Sequence, residues 1–177
     1  MQQKGAELVE FLERSGPQLY TLLTRLTLRE DAAEDLMQEL FIRLNDSDTF
    51  SRSDNPMAYA QRAAINLAFD WRRRQKSQPS TLDESKEPQA KADSPLKRLI
   101  EREELDQILD SVSKLNGCAG LAFVMRYIEQ QSYEDIARTL DKEPHQVRAL
   151  CSKAMVELRS MLGYSEGKAP EMGVCDA

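Results

Sequence analysis

Helical periodicity runs through almost the whole chain, and it constrains the fold more than any other feature. Apolar residues recur at intervals of three and four, which places them on one face of an α-helix. The pattern begins at Leu8 and continues to Leu26, past Gly16-Pro17, which either kinks or restarts the helix. A strand pattern, in which β-branched or aromatic residues alternate with polar ones, is nearly absent. The sequence therefore predicts an all-α fold.

A central stretch of distinct composition divides the predicted helices into two groups. Residues 77–95 contain three prolines and one large apolar side chain, Leu82, and cannot bury enough surface to offset the entropy lost on folding. We therefore predict two small helical domains, residues 1–76 and 96–163, joined by this stretch as a flexible linker. Residues 164–177 are expected to form a disordered tail.

Local signals mark the ends of several helices. Asp31 is expected to be the N-cap of a second helix that ends near Leu44. Asn55-Pro56 predicts the start of a third, because asparagine caps helices well and proline suits the first helical position. In the second half of the chain, helices are predicted over residues 96–114 and 120–129.

The third predicted helix, residues 55–76, has an apolar face and a polar face at about 100° per residue. The apolar face comprises Met57, Ala60, Ala64, Leu67, Ala68 and Trp71. The polar face comprises Tyr59, Arg62, Asn66, Asp70 and Arg73, and Arg74 follows in a cationic cluster. This face offers a ring for base stacking, an amide for base edges and guanidinium groups for phosphate. It is interpreted as a nucleic-acid surface, although a solvated face with a basic end favoured by the helix dipole is the alternative.

A helix-turn-helix is predicted near the end of the chain. Residues 133–140 and 144–161 are helical in pattern, and the short turn Asp141-Lys142-Glu143 joins them. The outward side of the second helix comprises His145, Arg148, Ala149, Ser152 and Lys153. The inward side comprises Val147, Leu150, Cys151, Ala154 and Leu158. In such motifs the second helix enters the DNA major groove, so the outward residues are candidate base and phosphate contacts.

The second predicted helix has a face of a different kind. Its core side is expected to comprise Ala33, Met37, Leu40, Phe41 and Leu44. On the opposite side lie Asp35, Gln38 and Glu39, with Ile42 among them. DNA would repel these carboxylates, so an apolar residue within an acidic face suggests a protein partner. A single exposed isoleucine is also common without any function.

Charge is unevenly distributed along the chain. The net charge is −6, yet residues 61–76 hold five basic side chains and one acidic one. Phosphate attraction is local, because charges beyond roughly 10 Å are largely screened. An acidic chain with one basic patch is therefore expected to bind DNA weakly alone and to depend on a partner. Ordinary solubility is the alternative explanation of the acidic balance.

Several classes of protein are disfavoured by composition. The three cysteines are widely spaced, and with His145 as the single histidine they form no zinc set. No glycine-rich phosphate loop is present, so neither an enzyme nor a bound cofactor or metal is expected. No secretory signal is visible and no apolar run approaches ~20 residues, which leads to the expectation of a reduced cytoplasmic protein.

Three stretches, in the right order, resemble the extracytoplasmic-function (ECF) sigma factors, bacterial promoter-recognition subunits of RNA polymerase. Residues 31–44 (DAAEDLMQELFIRL) resemble the family's region 2.2, typically Asp-Ala-Glu-Asp-Leu-Val-Gln-Glu-x-Phe. Residues 56–74 resemble regions 2.3–2.4, including Asn66-Leu67-Ala68-x-Asp70. Residues 115–158 are similar to region 4, most clearly at Arg126-Tyr127 and at SYEDIA from Ser132. The resemblance covers about 140 residues.

The resemblance implies a role for each face and none in catalysis. Contact with a coiled coil of the polymerase's largest subunit is implied for Asp35, Leu36, Gln38, Glu39 and Ile42. Binding of the −10 element as it melts is implied for Tyr59, Arg62, Asn66, Asp70, Arg73 and Arg74. Binding of the −35 element is implied for Arg126, Ser132, His145, Arg148, Ala149, Ser152 and Lys153. The partners implied are core RNA polymerase, promoter DNA and an anti-sigma factor that masks the DNA faces.

Three departures from the family concern region 4. A Leu-Pro usually followed by Gln-Arg is replaced by residues 115–120 (LNGCAG), which removes a backbone-contacting arginine, and Asp141 replaces the turn glycine. The common Thr-Val-Lys-Ser-Arg pattern appears as residues 146–150 (QVRAL). Weaker dependence on the −35 element is one interpretation. The alternative function is a stand-alone helix-turn-helix regulator whose N-terminal helices dimerise or sense a ligand, which leaves the region 2 motifs unexplained.

Overall fold

The computed structural model describes residues 2–77, 95–115 and 117–163, and every regular element within them is helical. The helices are α1 (Gln2–Thr27), α2 (Glu30–Asp46), α3 (Asp48–Ser51), α4 (Pro56–Ser77), α5 (Pro95–Ser113), α6 (Gly117–Phe123), α7 (Tyr133–Leu140) and α8 (Pro144–Met161), with a π-helical segment (Val124–Ile128) directly after α6. The prediction of an all-α fold is confirmed. The predicted tail and nearly all of the predicted linker lie outside the described residues, so the domain boundaries stay a prediction.

Helices α1, α2 and α4 pack against one another to form the N-terminal unit. Each contributes a stripe of fully buried leucine or alanine side chains, spaced by three or four residues. Helix α1 continues through Pro17, which lies on an exposed part of its surface. A proline there leaves one carbonyl without its helical partner, and water can replace that partner on the exposed side.

The ends of two helices test the predicted caps. Asp31 was wrongly predicted as the N-cap of α2, since Arg29 occupies that position and Asp31 lies in the first turn. The Arg29 guanidinium donates hydrogen bonds to the Asp31 carboxylate at 2.5 and 3.1 Å and lowers the pKa of that carboxyl. The Asn55 cap of α4 is confirmed, because its Oδ1 accepts the N–H of Ala58 at 3.0 Å.

The C-terminal unit is built around the predicted helix-turn-helix, whose two helices are confirmed as α7 and α8. Ile136, Val147, Cys151 and Leu158 are buried between these helices and α6. Helix α6 begins at Gly117, three residues earlier than predicted. Asp141 ends α7 in the left-handed conformation, with φ 53° and ψ 56°, so it adopts the backbone geometry that a glycine would favour.

The two units are packed together along α4, which contacts both α5 and α7. Their buried side chains join into one hydrophobic cluster. The interface between the two units, called the seam below, is tightly packed at Gly120, where an added Cβ would lie 3.0 Å from Cε2 of Phe69. A side chain at this position would therefore require Phe69 to shift by a few tenths of an ångström.

Candidate nucleic-acid interface

The polar face of α4 is exposed at its centre. Arg62 and Asn66 are both exposed and lie one helical turn apart. The apolar face predicted for the opposite side is confirmed at Ala60, Ala64 and Leu67, which are completely buried. A guanidinium and an amide are thus presented to solvent from a helix whose other side is held rigidly in the core.

Tyr59 is placed differently from the rest of that face. Its ring is half-buried, with its centroid 6.0 Å from that of Phe50, and its hydroxyl is 2.9 Å from Oγ of Ser47. Tyr59 therefore anchors α3 against α4, and only part of its ring remains for stacking on a base.

The basic end of α4 is occupied by contacts within the chain. Arg73 pairs with Asp70 one turn away and donates to the carbonyl of Ser113 at 2.8 Å. Arg74 lies 3.9 Å from the carboxylate of Glu39, which is one of the predicted polymerase-binding residues of α2. The Nζ of Lys76 contacts Asp110 of α5 at 2.6 Å. These cations are exposed but already neutralised in part by neighbouring carboxylates.

Arg72 belongs to the same basic cluster, but the sequence pattern predicted no DNA contact for it. Its side chain is only 3% exposed. It donates from Nε to the carbonyl of Leu26 at 2.5 Å, and from Nη1 to Asp110 at 2.7 Å and Asp106 at 3.0 Å. Arg72 therefore joins α1, α4 and α5 at one buried point.

A second buried face of α4 explains the position of Arg72. Gln61, Ile65 and Phe69 are also buried, and they share one side of the helix with Arg72, beside the predicted apolar stripe. Gln61 accepts a hydrogen bond from Gln131 at 3.4 Å, across the seam. Ile65 and Phe69 are apolar and lie outside the predicted stripe, so they were the sequence signal for this second buried face. The signal is weak because the same face begins and ends with polar residues, Gln61 and Arg72.

The outward side of α8 has the exposure that the helix-turn-helix interpretation requires. His145, Arg148, Ala149, Ser152 and Lys153 are all exposed. Their inward counterparts are buried, except Leu150, which is partly buried against the core. The five residues form a continuous strip that begins in the N-terminal half of α8 and continues to its middle. In a recognition helix the N-terminal half contacts base edges.

Tyr133 connects α8 to the π-helical segment. The guanidinium carbon of Arg126 lies 4.7 Å from the centre of the Tyr133 ring, and that of Arg148 lies 5.1 Å from it. Arg126 also donates to the carbonyl of Gln131 at 3.0 Å. Both arginines are attracted to the ring electrons. Arg126 thus supports the turn before α7, while more than half of the Arg148 side chain stays exposed.

Ser132 performs a capping role at the start of α7. Its Oγ accepts the N–H of Asp135 at 3.0 Å and donates to the Asp135 carboxylate at 2.6 Å. The Ser132 hydroxyl, assisted by Arg138, lowers the pKa of Asp135. The predicted DNA-binding residue Ser132 therefore uses its hydroxyl to fix the start of the first helix of the motif.

The acidic face of α2 needs two corrections. Leu36 is 3% exposed, so it cannot be a direct contact for a partner, whereas Phe41 is 41% exposed and was wrongly assigned to the core. The buried stripe of α2 comprises Ala32, Ala33, Leu36, Leu40 and Leu44, which lie within about 120° around the helix. Phe41 lies about 120° from the centre of that stripe, outside its edge.

The corrected face has a clear arrangement of side chains. Asp35, Gln38 and Ile42 are exposed, Glu39 is partly exposed, and Phe41 adds a second apolar side chain beside Ile42. An apolar centre surrounded by polar groups is the usual composition of a protein-binding surface.

Three further observations concern the described residues. Within these residues no group of histidine, cysteine or acidic side chains is arranged to hold a metal ion. None of the described helices has the length and apolar character needed to cross a membrane. Cys118 is exposed and Cys151 is buried, and burial raises the pKa of the Cys151 thiol.

Comparison with known proteins identifies the family. The Sigma-70 region 2 family model matches residues 11–78, which span most of α1 to α4. The ferric citrate uptake sigma factor FecI of Escherichia coli strain K12 is 30% identical over 139 residues, which are 77% of this chain and 80% of that protein. The sigma factor RpoE, in a co-crystal structure with the anti-sigma factor NepR from Bartonella quintana, has a similar fold, with a TM-score of 0.50 and 19% identity over 90% of this chain and 98% of that one. The chain therefore belongs to the ECF sigma factors and is a sigma factor of RNA polymerase.

Proposed function

We propose that this sigma factor binds core RNA polymerase, recognises −35 and −10 promoter elements through two separate helical faces, and promotes melting of the DNA. The observation that carries the proposal is the exposure of Arg62 and Asn66 on α4, inside the stretch that matches Sigma-70 region 2. Groups that are held on a rigid helix and left open to solvent can bind a nucleic acid without prior rearrangement.

At the −10 element, Asn66 is the proposed reader of an unstacked base. Its amide carries both a donor and an acceptor, so it can bond to a base edge in two places. Arg62 is close enough on the same face to bind an adjacent phosphate, and Arg73 and Arg74 extend the cationic surface along the helix. Tyr59 contributes the exposed part of its ring, and Asp70 orients Arg73 through their ion pair.

At the −35 element, the exposed strip of α8 is the proposed contact with duplex DNA. His145, Arg148 and Ala149 lie in the N-terminal half of the helix, which enters the major groove in this motif. Ser152 and Lys153 follow toward the phosphate backbone. Arg126 and Ser132 contribute indirectly to DNA binding, because Arg126 positions Tyr133 and Ser132 fixes the start of α7.

The exposed face of α2 is the proposed docking surface for core polymerase. Ile42 and Phe41 provide an apolar centre, and Asp35, Gln38 and Glu39 provide the polar surround. Leu36 supports this face from the core. The co-crystal structure of RpoE contains an anti-sigma factor, and we propose that a partner of the same kind restrains this chain by covering its DNA-binding faces.

Transcription reconstituted from purified components tests the proposal. Core polymerase is incubated with fragmented genomic DNA of the source organism, with and without this protein, and the RNA starts are mapped. We expect new starts that share −35 and −10 sequences and that require both proteins. Binding of the free protein to one palindromic operator, with no new starts, would instead identify a stand-alone regulator.

Replacement of Asn66 tests the −10 assignment. Asn66→Ala removes one amide from an exposed position, and loss of a bidentate base contact costs about 1–3 kcal/mol, or roughly 5- to 150-fold in open-complex formation. Gln18→Ala, which removes an amide from an exposed position of α1, is the control. Permanganate footprinting of melted thymines measures the effect, and equal footprints for both variants would contradict the assignment.

A charge placed in the α2 face tests docking. Ile42→Glu puts a carboxylate at the apolar centre and is expected to weaken polymerase binding by at least about tenfold. Val156→Glu is the control, because Val156 is 66% exposed on α8, away from this face. The dissociation constants are measured with labelled sigma factor and core polymerase. Similar binding by both variants would show that the docking surface lies elsewhere.

A further inference from the structure

The carboxylates of α5 occupy the cationic groups at the end of α4. Asp110 contacts two of them at once, with Arg72 at 2.7 Å and Lys76 at 2.6 Å, and its side chain is only 10% exposed. Asp106, one turn earlier, contacts Arg72 at 3.0 Å and stays 54% exposed. Arg73 donates to the carbonyl of Ser113 at the end of the same helix.

This pairing resembles the way in which a phosphate would be held. Two anionic oxygens of Asp110 are each bound by a different cation at hydrogen-bond distance, as the oxygens of a phosphate are by arginine and lysine. The Arg72 guanidinium is fixed independently by its bond to the Leu26 carbonyl of α1. The cations are therefore held by the N-terminal unit, and α5 provides the anions.

Polar contacts accompany the shared apolar cluster elsewhere along the interface between the two units. Arg25 of α1 pairs with Glu129 at 3.2 Å, and Gln61 is bonded to Gln131 at 3.4 Å. These polar contacts can be exchanged for water at small net cost, whereas separation of the apolar contacts is opposed by the hydrophobic effect. Within the described residues, Nη2 of Arg72 is buried with no hydrogen-bond partner, so the closed arrangement leaves one donor unsatisfied. Opening would allow that donor to be hydrated.

We propose that Asp106 and Asp110 form an intramolecular latch that competes with DNA phosphates for the basic end of α4 and holds the two units closed in the free protein. The latch regulates the −10 surface and so rests on the proposed function. Its removal is expected to leave Lys76 without its carboxylate partner and available to DNA phosphates, and to allow the two units to separate.

A pair of matched variants of the full chain tests the latch. Asp106→Asn with Asp110→Asn removes both charges with little change in shape. Glu103→Gln with Glu104→Gln removes the same charge from exposed positions of the same helix. The probe is a fluorescein-labelled duplex of random sequence, and binding is followed by fluorescence anisotropy without polymerase.

We expect the latch variant to bind this duplex about tenfold more tightly than the control variant, with a salt dependence steeper by about one to two phosphate contacts. Equal affinities and equal slopes would overturn the proposal, because the effect would then reflect net charge alone. Small-angle scattering is expected to show a larger radius of gyration for the latch variant than for the control variant and the unchanged protein.

A larger uncharged side chain at the interface provides a second way to separate the two units. Gly120→Val places methyl groups against Phe69, where even a Cβ would be 3.0 Å from the ring. We expect this variant to expand and to bind the random duplex more tightly with no change in charge, and helical circular dichroism checks that it is folded. An unchanged radius of gyration in both this variant and the latch variant would overturn the closed state. These measurements need no polymerase, so absence of sigma activity in the transcription assay would refute the proposed function separately.

Discussion

Replacement of Arg72 by methionine is expected to cost far more stability than replacement of its neighbour Arg73. Arg72→Met keeps much of the aliphatic volume but removes the donors for the Leu26 carbonyl, Asp106 and Asp110. Removal of one partner from a buried ion pair costs about 3–5 kcal/mol, because the remaining charge is left without compensation. Asp110 keeps Lys76 as a partner, so we expect the lower end of that range, about 3 kcal/mol.

Arg73→Met is the matched control, since it removes the same charge from a side chain that is 51% exposed. Exposed ion pairs contribute about 0–1 kcal/mol, and the hydrogen bond from Arg73 to the Ser113 carbonyl contributes about 1 kcal/mol. The control variant should therefore lose no more than about 2 kcal/mol. Because natural domains are stable by about 5–15 kcal/mol, the difference between the two variants should be plain in urea unfolding. Circular dichroism and the fluorescence of Trp71 are suitable signals. A difference of less than about 1 kcal/mol in the free energy of unfolding would refute the argument that Arg72 is a buried joint between α1, α4 and α5.

Further predictions concern the turn, the cap and the thiols. Asp141→Gly should stabilise the protein by about 0.5–1 kcal/mol, seen as a rise in Tm, because glycine adopts the left-handed conformation without a steric penalty. Ser132→Ala should cost about 1 kcal/mol in urea unfolding through loss of the α7 cap. Since the folded-state pKa of Asp135 is below its usual 3.8, its stabilising contribution is present above that pH and is lost as the pH falls below it. Asp135→Asn should therefore reduce the loss of stability on acidification below pH 3.8. In a Cys175→Ser background, Cys118 should react with a disulfide reagent much faster than Cys151, whose buried thiol has a raised pKa.

Local patterns were enough to predict most of the helices. Their boundaries depend on residues that are neighbours in the chain, such as Asn55 and Ala58, whose hydrogen bond starts α4. The same reasoning located the exposed strip on α8, because the 3.6-residue period separates His145 and Arg148 from the buried Val147. The error at Phe41 came from the width of the apolar stripe, which is set by the surface on which α2 packs and cannot be read from α2 alone.

The sequence by itself determined that the chain is helical, that α7 and α8 form a helix-turn-helix, and that Arg62 and Asn66 share an open face of α4. These features follow from periodicity and capping, which act over a few residues. Only the tertiary structure decided that Arg72 is buried, because its carboxylate partners lie 34 and 38 residues further along the chain. Whether a cation is solvated or paired depends on which distant charges are brought to it, since burial of an unpaired charge is too costly to persist. In this protein α5 packs against α4 and brings Asp106 and Asp110 to Arg72, so this arginine of the basic cluster is buried and links the two units.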